Sequence, residues 1–277
     1  MEIYFLDFIE DMDIEISVVI PVYNSGDEAV RAIESVINQT RFDAIKEIIV
    51  VDDGSVDSSF EKISSLKEEK IKLVKQENKG AAGARNTGIK MAQAEYIALL
   101  DSDDTWVKEK IQNQIEILKQ NKQIDAIGSA IDVYQLDTGE KITEKVRKIS
   151  VKQYLRRNYP QTSTILFKKD LLENVGFFIT GMRYAEEGVF FLRLAAINQL
   201  YYTIEPLVNY GNGKPSFGHS GLSGNLRKMH EGIFELHKFA LKNKYINCTS
   251  YFIFNVYEEL KYIRRCGISF VRKICKK

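Results

Sequence analysis

Two groups of aspartates carry the spacing for chemistry: Asp52 and Asp53, which follow the apolar run EIIVV (47–51), and Asp101, Asp103 and Asp104, which follow YIALL (96–100). Clustered carboxylates repel one another unless something positive sits among them. A hard divalent cation, Mn²⁺ or Mg²⁺, offsets that repulsion. Such ions prefer oxygen ligands and commonly take one or two carboxylates together with diphosphate oxygens. The competing reading is a helix cap, because aspartate is favoured at helix N-termini. Asp104 fits that role for a helix beginning near Trp106. A cap needs one aspartate, so Asp101 and Asp103 are left for a metal and nucleotide site.

The elements that must position these groups read as an alternation. ISVVIPV (16–22) is apolar and β-branched, as suits a strand buried on both faces of a parallel sheet. Ser25 to Glu28 resembles a capping box, and Ala29, Val30, Ile33, Val36 and Ile37 follow at helical spacing. Strands are expected at 47–51, 71–74 and 96–100, with helices from about Ser58 and over 80–92. Val107, Ile111, Ile115 and Leu118 form the stripe of a further helix. This alternation predicts an α/β fold, a mostly parallel central sheet flanked by helices, with ligands at the carboxyl ends of the strands. From residue 124 the regularity stops. Strand-like pieces at 125–134, 162–167 and 200–208 mix with a helix over 189–197, a glycine-rich loop fills 211–224, and two helical patterns cover 225–243 and 249–275.

SVVIPVYN (17–24), VVDDGSVD (50–57), NKGAAGARNTGI (78–89), AEYIALLDSDD (94–104) and AEEGVFFLRL (185–194) occur in the order and spacing of the family 2 glycosyltransferases, which the chain resembles from about residue 14 to 225. That resemblance implies a GT-A type, Rossmann-like sandwich and an inverting transfer with a DxD motif. It divides the chain into an extension (1–13), a nucleotide-binding half (14–123), an acceptor half with a lid loop (124–224) and a helical C-terminal region (225–277). It places Pro21 and Tyr23 beside the nucleobase, Tyr23 with a ring face able to stack, and Asp53 as the hydrogen-bond partner of the base. Asp101 falls toward the ribose and Asp103 on the metal, with Ser102 between them in the nucleotide site. Arg85 pairs with Asp101 or a phosphate, or organises the DxD turn as a structural ion pair. Gly80 and Gly83 serve close backbone approach or simple packing.

Glu187 matches the catalytic base, a position usually held by aspartate, with Glu186 as the other candidate. Both also fit as the charged first turn of the helix carrying Phe190, Phe191 and Leu194. The loop at 211–224, with His219, stands where the family has a lid. Family members show Tyr-Arg near its start, whereas this chain has Tyr210-Gly211. The resemblance implies a metal-dependent hexosyltransferase moving one sugar from a nucleotide sugar, foremost a UDP-sugar, to a hydroxyl of a glycan or lipid-linked acceptor in bacterial cell-surface polysaccharide synthesis. The alternative is a catalytically silent sugar-nucleotide-binding paralogue, suggested by Glu187 and the missing arginine. PVYNSGDEA lacks the GxGxxG of a nicotinamide enzyme.

Lys plus Arg 39 against Asp plus Glu 38 leaves no global field to recruit nucleic acid. The N-terminal MEIYFLDFIEDMDIE does not read as a secretory signal. No run approaches the roughly 18 apolar residues of a membrane span. The three cysteines, 248, 266 and 275, lack CxxC spacing, so a reducing cytoplasm is expected. Residues 261–277 hold seven Lys/Arg and no acid, interleaved with apolar residues. This pattern suits peripheral attachment to an anionic membrane, or a terminal helix packing Phe270 and Ile274 on the body. His230 and His237 are expected to be partly buried.

Overall fold

A computed structural model describes residues 14–133, 139–181, 186–211 and 225–275. The first four strands are β1 (Ile16–Val22), β2 (Ile45–Asp52), β3 (Ile71–Lys75) and β4 (Tyr96–Leu99). β1 and β4 are buried at every residue, which is why their sequences run apolar without alternation. β1 lies between β2 and β4, β3 lies outside β2, and all of these pairs are parallel. The crossovers run through α1 (Gly26–Ile37), α2 (Ser59–Ser64) and α3 (Gly80–Met91). Their carboxyl ends therefore share one edge, where both aspartate groups emerge.

The second half supplies β5 (Thr105–Trp106), α4 (Lys110–Gln120), β6 (Ala126–Ile131), β7 (Glu140–Lys141), β8 (Val146–Lys148), α5 (Val151–Arg157), β9 (Leu166–Lys168), α6 (Leu172–Val175), α7 (Glu186–Ala196) and β10 (Tyr201–Asn209). The strand order is β3-β2-β1-β4-β9-β6-β10-β8-β7, with β5 beside β10. β9 runs antiparallel to both β4 and β6, so it is a reversed strand set in the middle of a mostly parallel sheet. The expected α/β sandwich is thus present, its apolar residues divided into one cluster on each face, around Val19, Leu99 and Phe190 on one side and Ile20, Ile48 and Ile115 on the other. α8 (Leu226–Lys242) and α9 (Cys248–Cys275) form the C-terminal helices. Among the described residues, no helix is long and apolar enough to cross a membrane.

Several local expectations are corrected. Ser25 precedes α1 without capping it: its side chain makes no cap bond and instead meets the Ser102 hydroxyl at 2.9 Å. α4 starts at Lys110 after Glu109, because Thr105 and Trp106 pair with Asn209 and Val208 as β5. Asp104 is therefore no helix cap. Residues 162–164 form a tight 3₁₀ turn, and only 166–168 form the strand. Gly80 has φ +74 and an added Cβ would meet nothing, so its glycine serves the backbone angle. A Cβ on Gly83 would meet its own helix neighbour, the Lys79 side chain, at 2.4 Å. Close approach of helix to sheet occurs at Gly88, where a Cβ would stand 2.4 Å from Val19 Cγ1.

Candidate active site

A crevice of about 210 Å³ opens at the carboxyl edge of β1, β2 and β4. It is lined by Pro21, Tyr23, Asp53, Arg85, Asp101, Ser102 and Asp103, the residues singled out above, together with Val22, Ala81 and Ala84. β1 delivers Pro21 and Tyr23, whose ring is 52% exposed and so presents a face to solvent. The turn after β2 is fastened by its own side chains. Asp52 Oδ1 accepts the Ser55 amide (2.7 Å), and Asn24, at φ 49, accepts the Val56 amide (2.9 Å). Asp53 is buried and held in one orientation: its Oδ1 accepts from Gln76 Nε2 (2.6 Å) and from the Lys79 amide (2.8 Å). Gln76 is in turn fixed by the Thr87 hydroxyl at 2.6 Å.

The turn after β4 is held from three directions. The Asp101 amide donates to Ser163 Oγ (3.0 Å), and the Ser163 hydroxyl donates to Asp104 Oδ2. Asp104 Oδ1 accepts the Gly211 amide at 2.7 Å, with Gly211 at φ +58. Gly211, the residue after Tyr210 where the resemblance implies an arginine, is thus tied to the aspartate turn. Burial, then the neighbouring Asp101 and Asp103 charges, push the Asp104 carboxyl up to about 7. Asp104 is a structural tie, whereas Asp103 is exposed beside the crevice. Ser163 and the Ser25–Ser102 contact were not signalled in the sequence, since each bonding partner lies more than fifty residues away.

Arg85, from α3, is buried and joins this turn to α7. Its Nη2 donates to Asp101 Oδ1 at 2.6 Å, and its Nη1 lies 3.5 Å from Glu186 Oε1. The guanidinium also sits 5.6 Å from the Phe178 ring centroid. Despite its burial, the Asp101, Glu186 and Glu187 charges keep it firmly protonated. Glu186 is buried, and burial together with the adjacent Glu187 pushes its carboxyl up to about 8 against the pull of Arg85. Glu187 is less buried and lies near the Tyr154 hydroxyl, whose ionisation is pushed well up by burial and by the Glu187 charge. Glu187 does not line the crevice itself; it stands at the end of a connected line, Asp101–Arg85–Glu186–Glu187.

Among the described residues, no three His, Cys, Asp or Glu side chains converge as a metal cage. The donor set at Asp101 and Asp103 is oxygen only, and it fits an ion that draws most of its ligands from diphosphate and water. His219 and the rest of the expected lid lie outside the described residues, as does the 1–13 extension. His230 and His237 belong to the α8–α9 contact. His237 is buried against Asn255 (2.7 Å), and His230 stacks on Tyr262 with centroids 4.2 Å apart.

The α/β sheet with an acidic crevice at its carboxyl edge has the GT-A fold, and solved structures similar to this chain carry it. Staphylococcus aureus TarS (residues 1–349), crystallised with UDP-GlcNAc, superposes with a TM-score of 0.66 at 18% identity, covering 82% of this chain and 67% of that one. The mannosyltransferase PcManGT of Pyrobaculum calidifontis, in complex with GDP-Man and Mn²⁺, gives 0.61 at 15% identity over 95% and 76%. The chain belongs to glycosyl transferase family 2, whose sequence profile matches residues 17–190. Two Escherichia coli relatives are UDP-Glc:alpha-D-GlcNAc-diphosphoundecaprenol beta-1,3-glucosyltransferases. WfaP is 43% identical over 108 residues, 39% of this chain and 42% of the relative. WfgD is 33% identical over 169 residues, 60% and 64%. The match thus spans less than two thirds of either relative's length.

Proposed function

We propose that this protein transfers a single sugar from a nucleotide sugar, most plainly a UDP-sugar, to a hydroxyl of a glycan or lipid-linked acceptor, with inversion at the anomeric carbon. The observation that carries the reading is the crevice, where Pro21, Tyr23, Asp53, Arg85, Asp101, Ser102 and Asp103 meet in a chain of this family. Tyr23 offers a stacking face for the base, and Asp53, preset by Gln76 and Lys79, offers an acceptor to a base N–H. Asp101 would face the ribose, with Ser102 beside it in the crevice. Asp103 would hold Mn²⁺ or Mg²⁺, which when bound supplies Lewis-acid neutralisation of charge on the departing diphosphate.

Glu187 takes the proton from the attacking hydroxyl as the new bond to the anomeric carbon forms and the bond to the diphosphate oxygen breaks. Glu186 is the poorer base, being buried and committed to Arg85. Its proton at neutral pH allows it to donate to Glu187 and hold that carboxylate in place. The names of WfaP and WfgD support a diphosphoundecaprenol-linked acceptor, and a role in bacterial cell-surface polysaccharide synthesis belongs to the same proposal. Peripheral attachment to an anionic membrane through 261–277 belongs to the same reading and competes with the occupant argued below for α9.

The test is release of UDP from a panel of UDP-sugars with Mn²⁺, repeated with EDTA and with Glu187→Gln. Turnover of one sugar, abolished by chelation and by the substitution, is the expected result. Metal-dependent UDP binding without turnover on any acceptor extract would identify the silent paralogue, and absence of binding would reject the nucleotide site.

A further inference from the structure

α9 is built inside out. Its inward face, against α8 and α5, carries Glu258 at 0% exposure, with Lys261 Nζ 2.6 Å from one carboxylate oxygen and Arg265 bonded to the other. Its outward face carries Ile253, Val256, Leu260, Ile263 and Phe270, each between 45% and 66% exposed. A solvated terminal helix has the opposite arrangement. The expectation that Phe270 packs on the body is therefore corrected.

The spacing of the outward residues identifies what covers them. Ile253, Val256, Leu260, Ile263, Gly267 and Phe270 recur at alternating steps of three and four, the a and d positions of a heptad sustained for nearly three repeats. Phe252 and Val271, also exposed, flank the stripe at its two ends in g and e positions, and the heptad spacing of the stripe suits another helix. Charge gives a second, independent argument. The stripe begins in residues 248–260, which contain Glu258 and Glu259 and no Lys or Arg, so its first half has nothing to draw it to an anionic bilayer. In the same register Glu259 falls at a g position and Arg264 at the e position five residues on. Those are the two positions that face each other across parallel helices. Both are exposed on the flanks of the seam. Phe252 (g) and Tyr257 (e) give the corresponding pair one heptad earlier. Such a surface is self-complementary, as a two-fold contact requires.

From this we infer that α9 is the interface of a homodimer, packing in parallel against α9 of a second copy, with Glu259 of each chain paired to Arg264 of its partner. The inference stands apart from the assignment of the crevice, because no residue is shared between the two.

The experiment is size-exclusion chromatography with light scattering on the 277-residue chain at micromolar concentration, with Glu259→Arg, Arg264→Glu and Ile263→Glu variants. Wild type is expected at twice the mass of one chain. Ile263→Glu, at a side chain already exposed in the single chain, is expected to run as a folded monomer. Glu259→Arg and Arg264→Glu should each weaken association at least tenfold alone and recover it when mixed, since only the mixed dimer restores both opposite-charge pairs. Glu259 also lies 3.3 Å from His230 in its own chain, so Arg264→Glu reads the contact between chains without disturbing that one. A monomeric wild type overturns the proposal, as does a monomer that binds phosphatidylglycerol vesicles through the stripe. Charge variants that fail to rescue each other overturn the parallel pairing.

Discussion

The crevice and the α8–α9 pair treat charge in opposite ways. At the crevice, carboxylates stand at the end of an apolar sheet. Asp53, Asp101 and Asp104 are steered by donors from distant parts of the chain, and Asp103 is exposed. Between α8 and α9, ions are sunk into the contact and apolar side chains face out. The first arrangement keeps ligand-binding capacity; the second uses it up internally, since Glu258 is surrounded by Lys261, Arg265 and His230. Charge at the crevice is therefore expected to govern activity and charge at α9 to govern stability.

The strongest attempt to break this contrast is on the activity side. Asp103→Ala and Glu187→Gln are each expected to lower UDP-sugar turnover by ~10²–10⁴. Urea unfolding of Asp103→Ala should stay within about 0.5 kcal/mol of wild type, as for other exposed positions. Glu258→Ala reverses the pattern: it removes a fully buried carboxylate from between two part-exposed cations and should cost about 1–3 kcal/mol in urea unfolding, with turnover per folded molecule unchanged. Arg85→Ala sharpens the comparison, because Arg85 is a buried ion at the site itself. It should lose about 3 kcal/mol or more of stability and UDP affinity together, measured by urea unfolding and calorimetric titration.

The smallest effect is one of pH. The Glu186 carboxyl is raised from 4.5 to about 8 in the folded protein, so folding favours its protonated form. Its contribution is full below pH 4.5, declines as pH rises through 8 and is flat above that. Glu186→Gln removes this dependence. Comparing the metal-free proteins at pH 5 and pH 9, the variant should gain relative to wild type at the higher pH, read as a shift in urea midpoint.

Much of the site was legible because its signals are local. An apolar strand followed by aspartates specifies its own edge position, and the crevice gathers Pro21, Tyr23, Asp53, Arg85, Asp101, Ser102 and Asp103. What stayed hidden depends on partners distant in the chain. Ser25 had the spacing of a capping box, yet Ser102 claimed its hydroxyl. Asp104 had the composition of a cap, yet β5 displaced the helix and Ser163 and Gly211 took its two oxygens. Arg85 reaches Glu186 as well as Asp101, which no spacing announces. The heptad on α9 was visible in the residues, but its charges drew attention to the basic end and away from residues 253–263.

The reversed strand β9 has a consequence for how the chain divides. Among the described residues it is the partner of β4 on the side away from β1, and the turn just before it supplies Ser163 to the aspartate loop. A fragment ending at residue 123 would keep the nucleotide half's sequence but leave Tyr96–Leu99 as an uncovered apolar edge, a template for intermolecular pairing. A cut near residue 123 is therefore expected to yield aggregation in place of a minimal nucleotide-binding module.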